Sequence, residues 1–160
     1  MKKIKAWYFS DKSRKLRFGD GRDIVLGKTH KVDGEPVLCK HGLHASRKLV
    51  DALQYATGPV VYEVELSGEI VEGNDKLVAT RRKYIRGGID ISDTLMAFAR
   101  KQALSVAHLW DMPEVVRRYL ETGDKTIRVA AWAAVRVAAN DAADAAWAAA
   151  SVAANDAVRA

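Results

Sequence analysis

The chain has 160 residues, 49% hydrophobic and 29% charged, with a net charge of +6. That length predicts one domain with a helical appendage, and that composition excludes a disordered chain. A single cysteine excludes an internal disulfide and fits a reducing cytosol; no run of ~18 uncharged apolar residues predicts a membrane span; and residues 1–5 carry charge without the apolar stretch of a secretory leader.

The charge is uneven. Residues 1–50 hold 13 Lys and Arg against 5 Asp and Glu. One reading of that surplus is an anionic partner, whether nucleic acid, nucleotide or acidic protein. The other is a solvated surface. The cations that carry the first reading are Lys12, Arg14, Lys15 and Arg17, joined by Arg81 and Arg82 from a later basic run.

In chain order, the Ile-Lys-Ala-Trp-Tyr-Phe run at 4–9 predicts an aromatic-rich strand. Lys15, Leu16, Arg17 and Phe18 alternate as a second strand, closed by the Gly-Asp-Gly turn at 19–21. Short extended pieces are expected at 24–26 and 28–32, then a turn at 33–36. Ser46 reads as the N-cap of a helix of about three turns, in which Leu49, Val50, Leu53 and Ala56 share a face. Thr57, Gly58 and Pro59 stop it. Val60, Tyr62, Val64 and Leu66 alternate with Glu63 and Glu65, the clearest strand pattern in the chain. Those two glutamates are either an acid–base pair or the solvent face of a half-buried strand. Strand and turn continue to residue 75, one more strand falls within 76–85, and Gly87 and Gly88 punctuate it.

From residue 89 the pattern is helical. Leu95, Phe98, Ala99, Val106 and Leu109 make one stripe. Pro113 and Glu114 open a further helix that Gly123 ends, and Asp124 is expected to cap the last one. The predicted class is α+β. A β-rich module with one short helix occupies 1–86, and an all-helical half occupies 89–160, ending in a long Ala-rich helix.

That last helix repeats itself. Residues 129–160 contain 17 alanines, and the pattern of 131–142 returns fifteen residues later at 146–157. Alanine is the best helix former but buries little area, so the tract favours close backbone approach over deep packing. Fifteen residues over four turns drift slowly against 3.6 per turn, which predicts a right-handed supercoil in any pairing. Trp132, Arg136, Asn140, Trp147 and Asn155 fall along the drifting stripe and are the candidate partner-binding residues. The tryptophans either grip a partner or lie over the protein's own helices at 94–121. Homo-oligomer formation through this helix stays open.

The densest polar segment is 39–46. Cys39, His41 and His44 stand within six residues, but zinc asks for four donors and there is no second cysteine, so no metal is assigned. Cys39 reads as a small buried hydrophobe, and His44, just ahead of a helix start, as an anion donor or a satisfied structural histidine. No Gly-rich phosphate loop is present.

Gly42, Leu43, His44, Ala45 and Ser46, then Asp51 to Tyr55, then the strand at 60–68 resemble the second motif of ADP-ribosyltransferases. The resemblance implies NAD as cofactor, with His44 and Tyr55 at the motif's tyrosine positions and Glu65 among candidates for the catalytic carboxylate. The first strand lacks that family's His-Gly-Thr or Arg motif. A wider resemblance joins the Cys-x-x-Gly-Leu-His-Ala-Ser segment, Val-Glu-Leu-Ser-Gly, Asn-Asp-Lys-Leu-Val-Ala, His-Leu-Trp-Asp and the Ala/Trp tail. It is to a family of small proteins encoded by phages and prophages, which implies accessory roles such as interference with host defence. The expectation is a non-enzymatic, cytoplasmic binding protein without cofactor. It would act on a host protein or nucleoprotein in an infected or lysogenic bacterium. An ADP-ribosyltransferase-like enzyme or inactive NAD-binding relative, and direct nucleic-acid binding by the basic N-terminal half, are the rivals.

Overall fold

The computed structural model describes residues 2–159, with side chains in the last helix described as far as Ala149. The chain is α+β and divides into two compact units, Met1–Asp93 and Thr94–Ala160.

Unit 1 contains β1 (Ile4–Ser10), β2 (Thr29–Lys31), β3 (Leu43–Ala45), α1 (Leu49–Gln54), β4 (Val60–Glu72) and β5 (Leu77–Asp90). The strands form one antiparallel sheet in the order β1-β4-β5-β2, with β3 also on β5. β4 and β5 are a long hairpin, and β1 pairs with the first half of β4. The far edge of β5 is shared, with β3 opposite residues 77–79 and β2 opposite 81–83. Just after β3, Ser46 and Trp7 exchange backbone hydrogen bonds of 2.7 and 3.0 Å. The chain that leaves β3 therefore returns to the outer edge of β1, and the sheet curls back on itself.

Side-chain alternation fills the inside of the curl. Ile4, Leu66, Arg82 and His30 make one cross-strand row; Ala6, Val64 and Tyr84 make the next, and all seven are buried. Pairing of this kind fixes register, because a one-residue slip turns every side chain to the other face. Two glycines permit the curl. Gly68 has φ +83 at the bulge between Ser67 and Ile70, where a Cβ would meet Thr80 Oγ1 at 2.2 Å. Gly87 has φ +118, and a Cβ there would lie 2.5 Å from the Val61 carbonyl oxygen. Both positions combine left-handed backbone with close strand approach, which only glycine tolerates.

Three expectations are corrected here. The alternation at 15–18 does not form a strand, since only Lys15 bridges, to Asp23. Leu16 and Ile24 are buried anchors, and the Leu16 and Ile24 amides bond to the Arg22 and Arg14 carbonyls at 2.9 and 2.8 Å. The residues between them loop outward because the Gly-Asp-Gly segment reverses the chain before any neighbouring strand can be met. Ser46 is no N-cap: it is buried in its pairing with Trp7, and the helix begins at Leu49 and runs only six residues. β5 does not stop at Gly87 and Gly88 but passes through them to Asp90, bulged opposite Tyr62.

Unit 2 holds most of α2 (Ser92–Ser105), a 3-10 turn (Ala107–Leu109), α3 (Glu114–Thr122) and α4 (Arg128–Arg159). Gly123 ends α3 in left-handed backbone at φ 69, its N–H donating to the Tyr119 carbonyl. Asp124 Oδ1 accepts from the Thr126 N–H and hydroxyl, so it closes a turn ahead of α4 rather than capping it. Ala107, Met112, Val116 and Ala131 make a small core. Among the described residues no helix is long and apolar enough to cross a membrane.

Candidate functional site

The segment before β3 is a tight turn. Val37 and His41 bridge, and Cys39 at its tip takes φ 63 and lies exposed. That exposure corrects the expectation of a buried thiol; the turn is too short to fold its tip inward. The Cys39 N–H donates to His44 Nε2 at 3.0 Å, which fixes that nitrogen as the acceptor. Burial holds the His44 pKa below its ordinary value, with Arg82 and Lys76 acting in the same direction. His41 turns away, its Nε2 at 2.6 Å from the Asp33 carbonyl oxygen. The three ligand-type side chains thus diverge, and among the described residues no group of three His, Cys, Asp or Glu converges as a metal site.

Lys76 joins this turn to α1. Cys39 and then Tyr55 beside it raise the pKa of its ammonium, which lies 4.2 Å from the Tyr55 ring centroid. The Tyr55 hydroxyl donates to Asp75. A cleft of about 70 Å³ opens beside them between Arg47, Lys48 and Asp51 and the turn at 73–77. His44 and Tyr55 therefore both lie near Lys76, His44 by way of the Cys39 turn. Glu65 does not join them. It lies in the Lys83 row of β5, five residues from the Val78 row that holds His44, and its carboxylate pairs with Lys3 at 2.9 Å. The spacing along β5 is roughly 17 Å. The cleft is also far below the ~300 Å³ at which pockets begin to enclose a drug-sized ligand.

The interior of the sheet carries a group that sequence reasoning placed on the surface. Arg82 is 2% exposed and faces inward. Its Nε and Nη2 donate to the Tyr84 hydroxyl at 3.1 and 2.7 Å, its Nη1 donates to the His44 carbonyl, and its plane lies 3.7 Å from the Tyr8 ring centroid. A guanidinium stacked on rings with forked donors is a stable way to bury a cation without a carboxylate. Burial pushes the Tyr84 phenol up to about 12, so it stays neutral and accepts both bonds. Beside it His30 is 1% exposed, and neither ring nitrogen has a hydrogen-bond partner among the described residues. Arg82 thus braces β3 against β5; it does not face an anion in solvent. Only its register opposite His30, visible once β2 is paired, reveals this.

The other basic candidates stay outside. Lys12 pairs with Asp90 at 2.9 Å; the Ser92 hydroxyl first, and then Lys12, lower the Asp90 carboxyl to about 2. Lys15 lies 3.5 Å from Asp23, and Arg14 donates to the Gly88 carbonyl at 3.0 Å. Arg17 is exposed on the hairpin tip, and Arg81 projects to the outer face of β5.

α4 presents the second candidate surface. It buries Ala131 against α3 while its neighbour Trp132 is 67% exposed. Trp132 therefore does not lie over α3. Val129, Val135, Val137 and Arg136 are also exposed, as are Asn140 and every described residue from there on, with Trp147 at 76%. The side chain of Asn155 lies outside the described residues.

A family model described as a domain of unknown function, DUF7666, matches residues 13–97, just over half of the chain. That span runs from the hairpin through β5 into α2 and leaves out β1, α3 and α4. No curated protein and no solved structure matches the chain.

Proposed function

We propose that this chain, which belongs to the DUF7666 family, is a non-enzymatic binding protein that docks a host protein or nucleoprotein through α4. The observation that carries the reading is the exposure of Trp132 on a helix whose described side chains bury little beyond Ala131. Exposed tryptophan set among small side chains supplies the large, rigid anchor on which protein interfaces concentrate their energy. The alanines around it let a partner's backbone come close. The resemblance to phage- and prophage-encoded proteins supports a bacterial host as the setting and blunting of a host defence as the role. The divergence of Glu65 from His44 and Tyr55 supports a binding role over group transfer.

The test places a photo-crosslinking residue at Val129 or Val135 and irradiates the full chain in host lysate. A discrete crosslinked host protein that disappears on Trp132→Ala supports the reading. Crosslinks that survive Trp132→Ala, adducts only between two copies of this chain, or no adduct at all overturn it.

A further inference from the structure

β2 and β5 carry a charge arrangement that the fold itself does not use. Their register sets Thr29 opposite Lys83, His30 opposite Arg82 and Lys31 opposite Arg81. His30 and Arg82 point inward, so Lys31, Arg81 and Lys83 share the outer face. Lys31 and Arg81 are directly opposed like charges, with Cβ atoms about 5 Å apart, a placement that destabilises a sheet. Lys83 follows two residues along, roughly 6.8 Å on. No carboxylate makes a salt bridge to any of the three among the described residues, and Glu65, across β4 from Lys83, is taken by Lys3.

The hairpin beside β2 adds a second feature of the same kind. The Arg22 guanidinium grips both Asp20 oxygens at 2.6 Å and donates to the Lys31 carbonyl at 3.0 Å, which ties the hairpin to β2. At the tip Phe18 is 100% exposed with φ 61. A bulky residue in left-handed backbone is strained, and here the strain secures no burial. Arg17 beside it is a further exposed cation.

We infer that the outer face of β2 and β5, with the Phe18 hairpin, binds single-stranded nucleic acid. The opposed cations Lys31 and Arg81, and Lys83 after them, take successive phosphates, and Phe18 offers its ring to an unstacked base. The ligand must carry regularly spaced negative charge and flat rings together, which single strands do. An acidic peptide answers the cations but leaves the ring without a matching surface.

The experiment is fluorescence anisotropy of labelled oligothymidylate and oligouridylate with the full chain across a salt series. Three phosphate contacts predict a slope of roughly −2 in log affinity against log salt. Lys31→Ser and Arg81→Ser each lower affinity and make that slope shallower by about 0.7. Phe18→Ala weakens binding by roughly tenfold and leaves the slope unchanged. Thermal unfolding verifies folding, and Lys31→Ser keeps or raises the midpoint because it relieves the like-charge pair. Trp132→Ala, which tests the α4 reading, leaves oligonucleotide binding unchanged. Absent or salt-independent binding, affinity indifferent to Lys31, Arg81 and Phe18, or tighter binding to polyglutamate or anionic vesicles overturns the inference.

Discussion

The curled sheet and α4 treat their unlike residues in opposite ways. The sheet takes a charged Arg82 and an unpartnered His30 inside and surrounds them with Tyr8, Tyr62 and Tyr84, whose rings meet at 5.4 to 6.4 Å. α4 leaves Trp132 and several valines outside and buries Ala131. The sheet must enclose what its register points inward, because pairing to β4 and β5 sets the facing of every strand. A helix fixes only its own backbone, so alanine alone suffices to form it, and the burial of a large residue such as Trp132 is not required.

The largest expected effect sharpens this contrast. Tyr62→Ala removes a fully buried ring from the aromatic cluster and should lower the stability of unit 1 by about 3–5 kcal/mol, as large-to-small core changes do. Urea denaturation followed by tyrosine fluorescence reads it; a loss under ~1 kcal/mol contradicts the packing described. Ala142→Pro is its counterpart in α4. It should break the exposed helix locally, at about 3 kcal/mol, and cut the circular dichroism signal at 222 nm. The urea midpoint of unit 1 should not move, and a shift there would show that the two regions are not built on separate principles.

The smallest effect concerns His30. Burial first, and then Arg22, Arg82 and Lys28, hold its pKa below the ordinary value, while Asp20 opposes them weakly. A histidine depressed in the folded state stabilises fully above the unfolded pKa near 6.5 and loses that contribution as pH falls. Stability of unit 1 should therefore drop below about pH 6.5, by at most ~1.4 kcal/mol per pH unit for this one proton. His44, lowered too, adds in the same direction. Denaturation at pH 7.5 and 5.5 should show a smaller difference in His30→Leu than in the parent, and an equal difference in both refutes the assignment.

How legible each region was follows the same division. The helical propensity of α4 is local, so composition alone revealed it. β4 was legible because Val60, Tyr62, Val64 and Leu66 alternate cleanly with Glu63 and Glu65. β5 was legible only in part: a strand was expected within 76–85, but its continuation to Asp90 and its inward face were not, because residues 77–79 are buried on consecutive positions and Arg82 puts a charge where the pattern demands an apolar residue. The hairpin at 14–24 imitates a strand in its first residues, and only its left-handed tip distinguishes it. At the candidate sites, Trp132 could be read from the repeat. The opposition of Lys31 to Arg81 could not, since it exists only after residues fifty positions apart are paired.

The pairing of β1 sets an order of events as the chain is made. Its partners are Ser46 and residues 60–66, so the Trp-Tyr-Phe run at 7–9 leaves the ribosome long before anything can shield it. At ~5–20 residues per second that wait lasts several seconds. An aromatic, strand-prone segment without a mate is where misassembly begins. The lysines at 2, 3 and 5 just ahead of it then act as guards for a nascent chain as well as surface charges of the finished one.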